Sequence, residues 1–496
     1  MNTPFATSLR FSTDRPQIIL AVLSIPACTA VGLFTVFRPT MTLVALGLIA
    51  LAPVALRGGV FPIAILFLWF SAVGTGLDSG LVVGGANVPV AYLLMAGLAA
   101  ASFIRASDGT PHLDLSRPRK SRTLARCLAA ILIPTLLWSL IGIAGGNNLS
   151  FVREEALLWA VAALMATITL LNLRSRDLMG LSWVFLLAAA VAGLKTILIQ
   201  ISGTLIAIPG LLQAYSAVNP QFGVQRVIPI GGDTLMVLGF PMAIGLLRVV
   251  RGKALAAVLI ALSIDALGLG LTYTRTLIGA AAIGAFIALA TPIGIGVRRV
   301  AILVRMAAAI AAVSFLLSFT FGQSDLSAGQ ALVTRFVGGQ EVGASSLQER
   351  LDDAKAALTG GDPEVILLGR GIGASYYSPI TPYGGQTPYV HSGYPWLIMQ
   401  GGIPLAVIVS LGLFFAARTL WIGASTANGT IAGALAGLAG SVAAFAATNL
   451  LINRFDSVEG AAFIGTILGS ALVVSLTKAD PSLTNVSQPR PHSVMT

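Results

Sequence analysis

Long apolar runs follow one another along nearly the whole chain, broken by short polar segments. An apolar stretch of about 20 residues spans a bilayer as a helix. On that criterion spans fall near 17–37, 40–56, 58–77, 81–104, 127–145, 156–171, 178–203, 233–250, 254–272, 276–296, 300–321, 395–416, 430–452 and 459–477. The pattern predicts an all-α polytopic membrane protein, with about 12–14 transmembrane helices once short spans are weighed. Two segments break the rhythm, 204–232 and 322–394, and the second is 73 residues long. Such long connections are uncommon unless they are functional or disordered. The expected organisation is therefore a set of N-terminal helices over 1–203, a second transmembrane region over 204–477 that includes the loop 322–394, and a Pro- and Ser-rich tail over 478–496.

Composition makes the bilayer necessary. Hydrophobic residues are 56% of the 496 and charged residues 10%, against about 25% charged in soluble domains. Mean hydropathy is +0.88. The first apolar run is too long for a signal peptide and lacks a small-residue cleavage site, so it is read as a helix. Cys28 and Cys127 lie in different apolar runs near opposite faces, which argues against a disulfide between them.

A net charge of +11 raises the question of nucleic acid, and its distribution answers it. With the N-terminus cytoplasmic, every second connection is basic, and the cytoplasmic segments hold 20 of the 30 Lys and Arg. Acidic residues show the opposite bias, with 13 of 19 outside. That is the positive-inside pattern of a membrane protein, not a nucleic-acid footprint. The cytoplasmic run Arg117-Pro118-Arg119-Lys120 suits anionic lipid headgroups.

The long loop has internal features. Ser346-Leu347-Gln348-Glu349 has the form of a capping box. Leu347, Leu351, Ala354 and Leu358 then recur at helical spacing, and Gly360-Gly361 with Pro363 ends the run. This predicts a short amphipathic helix over 347–359 lying at the outer interface. Gly369-Arg370-Gly371-Ile372-Gly373 follows, a turn whose backbone N–H groups are candidates to cradle phosphate. The loop closes on Tyr389-Val390-His391-Ser392-Gly393-Tyr394-Pro395-Trp396.

Candidate chemistry is concentrated on that face. Of three histidines, His112 is in a basic cytoplasmic segment and His492 in the tail, which leaves His391 at the outer surface. An imidazole there can exchange protons near neutral pH, although it can equally serve as an interfacial ring. Arg226, Arg275, Arg350 and Arg370 run against the charge bias. A planar guanidinium fork suits phosphate, and the plainer role is snorkelling at a helix end. Lys195 and Asp265 lie within spans, where charges face the bundle interior and sometimes pair. Asp352-Asp353 is set aside as a metal pair because consecutive helical residues point in different directions. The sequence shows no metal-binding signature, P-loop or dinucleotide fingerprint.

Three stretches resemble the O-antigen ligase and O-antigen polymerase superfamily. Tyr273-Thr274-Arg275-Thr276 before a small-residue helix is similar to its Ser/Thr-Arg signature. Gln348-Glu349-Arg350 through Gly369-Arg370-Gly371-Ile372-Gly373 is similar to its Arg-bearing loop helix and Gly-rich segment. His391 through Gly401-Gly402-Ile403-Pro404 is similar to its His-Asn, aliphatic helix and Gly-Ile-Pro pattern. The stretch Arg226 to Asp233 matches an Arg-bearing loop more loosely. The resemblance covers about 205–420, in matching order and spacing. It departs at Ser392, where the family often has Asn, which removes an amide donor–acceptor pair beside the histidine.

The resemblance implies a glycosyltransferase C-like membrane fold in the bacterial cytoplasmic (inner) membrane, with its site facing outside. It implies a metal-independent glycosyltransferase, without cofactor, that transfers or polymerises a glycan from an undecaprenyl-pyrophosphate carrier onto a sugar acceptor, either a lipid core or a growing chain. His391 and Arg275 take the catalytic positions, with contact to the pyrophosphate itself as the alternative role for His391, and Arg226, Arg350 and Arg370 take the pyrophosphate-binding ones. The competing reading is a flippase for lipid-linked oligosaccharide. A flippase is expected to have short loops and an internal repeat, neither of which this chain shows. A non-catalytic membrane scaffold would need none of these His and Arg side chains.

Overall fold

A computed structural model describes residues 58–72, 80–83, 86–107, 118–202, 214–219, 224–229, 232–272, 274–293, 340–359, 363–379, 386–427 and 429–478. The expected spans 17–37, 40–56 and 300–321 lie outside these residues, as do Cys28, His112 and His492. The described elements are α1 (Phe61–Ala72), a hairpin of β1 (Gly80–Val83) and β2 (Ala86–Pro89), α2 (Val90–Ser107), α3 (Pro118–Ala144), α4 (Leu149–Asn172) and α5 (Leu178–Ser202). A second hairpin of β3 (Ala214–Asn219) and β4 (Val224–Pro229) leads to α6 (Gly232–Leu247), α7 (Gly252–Leu271) and α8 (Arg275–Ala290). Then come α9 (Gln340–Thr359), α10 (Pro363–Leu368), β5 (Tyr376–Tyr377) paired with β6 (Gln386–Thr387), α11 (Gly393–Thr426), α12 (Gly429–Thr448) and α13 (Val458–Lys478).

The chain is an all-α polytopic membrane protein. Seven described helices are long and apolar enough to cross a bilayer, and four shorter apolar helices accompany them. They alternate in direction. One end of the bundle collects the turns 145–148 and 449–457, the β3–β4 hairpin and the elements α9, α10, β5 and β6; we call it the loop end. Side chains such as Leu132, Ile133, Leu136, Leu137 and Phe414 are exposed on α3 and α11, as lipid-facing surfaces require.

Three spans differ from expectation at their starts, the first being α3, which begins at Pro118 and not at 127. Residues 81–89 were expected to be helical but form the β1–β2 hairpin, with Gly80 opposite Pro89. Gly84-Gly85 lies between its strands, a pair suited to a tight hairpin turn. Helix α4 starts at Leu149 and not at 156, because Asn148 caps it by accepting the Ser150 N–H. Its polar first turns are tolerated because Arg153 and Glu154 are exposed while Glu155 accepts the Gly373 N–H at 2.6 Å.

Helices on both sides of residue 203 pack together: α4 lies along α13, α5 along α6 and α7, and α12 against α6 and α8. Small residues permit the close crossings. A Cβ on Gly284 of α8 or on Gly440 of α12 would run into the other residue's carbonyl oxygen. Lys195 and Asp265 are both buried, but neither side chain makes a hydrogen bond among the described residues, so they do not form the ion pair the sequence left open.

Candidate functional site

The amphipathic helix is longer than its sequence signature. Helix α9 begins at Gln340, so Ser346 and Glu349 are interior residues and the capping-box start at 347 is incorrect. The leucine stripe faces outward, with Leu347 and Leu351 exposed. Its opposite face carries Arg350, Asp353 and Ala357 at helical spacing toward the bundle. Adjacent acids on a helix diverge: Asp352 is exposed, whereas Asp353 is fully buried.

Asp353 is the centre of the polar network. Its Oδ2 accepts hydrogen bonds from His391 Nδ1 at 2.9 Å and from the His391 backbone N–H at 3.0 Å. Its Oδ1 accepts from the Tyr376 hydroxyl and the Ser378 hydroxyl, each at 2.5 Å. Burial by itself would raise the carboxyl pKa, but the hydrogen bonds from His391, Ser378 and Tyr376 outweigh it and hold it near 2. An ionised carboxylate on Nδ1 fixes the tautomer that carries the proton there. His391 Nε2 is then left as an acceptor, on a ring that is 36% exposed. Tyr389 stands edge-on to that ring at 5.2 Å.

The same end gathers cations. Arg350 Nη1 donates to the Leu451 carbonyl at 2.8 Å and to the Thr276 hydroxyl at 3.4 Å. Arg350 therefore ties α9 to the turn after α12 and to the first turn of α8. Arg275 is the first residue of α8, next to that threonine, and is half-buried. His391 is held to the same turn, since its carbonyl accepts the Asn453 N–H at 2.6 Å. In that turn Arg454 forms an ion pair with Asp233 at the start of α6. Asp456 follows, pushed up to about 7 by burial, against the opposing pull of Arg454.

The Gly-rich turn has a different role from the one expected. Its backbone N–H groups are used inside the fold: Gly369 bonds Val365 O, Arg370 bonds Met399 O, Ile372 bonds Trp138 O, and Gly373 bonds Glu155. These four N–H groups are not available to cradle phosphate. Gly369, Gly371 and Gly373 all have positive φ and press against neighbouring backbone, which no side chain would allow. The Asn147 side-chain amide reaches three carbonyls of the turn, those of Arg370, Gly371 and Ile372. Helix α11 kinks at Gly401-Gly402 before Pro404, which frees the Met399 carbonyl for Arg370. The Arg370 guanidinium reaches Ser375 O at 3.3 Å, while its Nη2 is buried without a partner.

The structure thus brings His391 and Arg350 into one network and places Arg275 beside it. Arg226 lies on β4 opposite Ala217, in the hairpin that leads into α6. Arg370 is set apart, between α3 and α11. Sequence reasoning missed Asp353, Tyr376, Ser378, Asp233, Arg454 and Asp456. Asp353 lies 38 positions before His391, a separation with no periodic signature. Among the described residues no group of three or more His, Cys, Asp or Glu could hold a metal ion.

No family model and no curated protein matches the chain. Among solved structures, a chain of one described as "Structural coordination of polymerization and crosslinking by a peptidoglycan synthase complex" is similar, at 16% identity and TM-score 0.38. The match covers 72% of this chain and 97% of that one. A likeness that weak carries no argument about activity. The class that the fold itself defines is an all-α polytopic membrane protein with a polar network at its loop end.

Proposed function

We propose that this protein is a metal-independent membrane glycosyltransferase acting on the extracytoplasmic face of the bacterial cytoplasmic membrane. It transfers or polymerises a glycan carried on undecaprenyl pyrophosphate onto a sugar acceptor. The observation that carries this reading is the His391–Asp353 pair beside Arg350. A buried carboxylate behind an accessible imidazole is the arrangement of a general base.

In the proposed reaction the acceptor hydroxyl oxygen attacks the anomeric carbon of the donor sugar. The bond from that carbon to the pyrophosphate oxygen breaks, and the pyrophosphate leaves with the electron pair. The hydroxyl proton passes to His391 Nε2, and Asp353 stabilises the resulting imidazolium. Negative charge then develops on the leaving group, where guanidinium groups lower the barrier. Arg350 commits only Nη1 within the described residues, so its remaining donors suit an anion. Arg275 is assigned to the same charge, with Arg226 and Arg370 as further pyrophosphate contacts.

The test is a transfer assay with purified protein in nanodiscs, an undecaprenyl-pyrophosphate-linked oligosaccharide, a sugar acceptor and EDTA. Wild type should release carrier pyrophosphate and form the transferred product, and His391→Ala and Arg275→Ala should not. Folded wild-type protein that moves the lipid-linked glycan across liposomes without transferring it would replace the enzyme by the flippase.

A further inference from the structure

An apolar cavity of about 160 Å³ lies between α3, α4, α11 and α13. Cys127, Pro134 and Trp138 line it on α3, Trp159 on α4, and Ile408 and Gly412 on α11. Ile408 is 42% exposed, so the cavity reaches the bilayer-facing surface. From Cys127 to Trp138 it follows α3 for about 16 Å at 1.5 Å per residue. That is about half the thickness of a hydrocarbon core.

Its upper end meets the Gly-rich turn. Ile372 lines the cavity. Trp138 also lines it, and holds the turn through its indole N–H on Leu368 O and its carbonyl on the Ile372 N–H. Arg370 stands two residues before Ile372, with a buried Nη2 that has no partner. The site thus combines an apolar slot open to lipid with a neighbouring guanidinium whose Nη2 lacks an acceptor. A bundle interior does not keep such a slot empty without cost, because unfilled space forfeits packing.

We infer that this cavity holds the proximal hydrocarbon chain of the polyprenyl carrier, with its phosphate meeting Arg370. A polyprenyl phosphate brings one chain to such a slot, whereas a phospholipid brings two. Ser375, which accepts from Arg370, directly precedes the Tyr376 that holds Asp353. The Arg370 guanidinium is therefore linked to the His391 network through Ser375 and Tyr376. The inference rests on the proposed function for the identity of the carrier, and it adds where that carrier docks and which helices admit it.

Gly412 supplies the test. A Cβ built there meets nothing within 4 Å, so a side chain at 412 starts in open space and Gly412→Leu narrows the slot. Gly279 on α8 is equally open and serves as a control for added bulk. Protein in nanodiscs of phosphatidylethanolamine and phosphatidylglycerol would be titrated with undecaprenyl phosphate, and retained lipid read by native mass spectrometry. Wild type, Gly279→Leu and His391→Ala should retain it alike. Gly412→Leu and Arg370→Ala should each weaken retention about tenfold, the scale of a lost hydrophobic or charged contact. Unchanged retention in Gly412→Leu, or displacement of undecaprenyl phosphate by phosphatidylglycerol at equal concentration, overturns the inference. Retention is read without turnover, so an inactive protein that still binds the lipid through this slot sinks only the proposed function. An active protein whose binding ignores Gly412→Leu sinks only the docking site.

Discussion

Asp353 grips His391 twice through one oxygen, at the ring Nδ1 and at the backbone N–H. The two bonds fix the imidazole by position and by rotation, because the carboxylate is buried on a helix that Arg350 anchors. A general base works only when its proton acceptor points at the reacting group, and in the proposed reaction the aiming falls to a residue 38 positions earlier.

Substitution at Asp353 should therefore act on rate and not on donor binding. Asp353→Asn keeps the shape but lets the ring adopt the other tautomer. Transfer should fall by about 10² to 10⁴ in kcat with KM little changed. Steady-state kinetics of transfer check this, and an Asn variant within a factor of about two of wild type would remove the general-base role.

Arg350→Met should loosen α9. The substitution removes the hydrogen bonds to Leu451 O and Thr276 while keeping an unbranched apolar stem. Amide exchange in 340–359 should accelerate about tenfold or more, the equivalent of about 1.4 kcal/mol of local opening, while α12 and α13 stay protected. Exchange measured by mass spectrometry decides it.

Asp456 should make stability depend on pH near neutrality. Its folded pKa is raised from 3.8 to about 7, chiefly by burial. The folded state thus holds more protons than the unfolded state between those values, and stability falls as pH rises through that window. The melting temperature in detergent should decline from about pH 5 to about pH 8, and Asp456→Asn should flatten the slope. A slope that survives Asp456→Asn assigns it to another group.

Two glycines with similar backbone angles should differ in cost when changed to Ala. Gly146 has φ +78° and open space around it, so Gly146→Ala should lose about 1–2 kcal/mol of conformational strain alone. Gly373 has φ +81°, and a Cβ there collides with Val152 on α4, so Gly373→Ala must also displace backbone. Thermal unfolding should show the larger drop for Gly373→Ala. Equal drops would show that the turn yields easily.

Much of this architecture was legible in the chain. Hydropathy is local and additive, so the spans that fall within the described residues emerged with errors mainly at their starts. Those errors arose where local hydrogen bonding outweighed the apolar count, as at the Asn148 cap and in the β1–β2 pairing. His391 and the Arg-bearing positions could be singled out because charge is rare in such a sequence. The Gly-rich turn was misread, because glycine permits a phosphate cradle and a tight backbone crossing alike. Its sequence does not say whether the N–H groups meet an anion or the carbonyls of Trp138 and Met399.

What the sequence by itself determined is the set of helices, their apolar faces and the few polar residues set among them, because each follows from the transfer energy of residues close together in the chain. What only the tertiary structure decided is which polar residues meet. Asp353 faces His391, and Arg350 reaches Leu451, because α9 folds back over the ends of α8, α11 and α12. Hydrogen bonds act over about 3 Å, and no pattern along one segment records a distance between two.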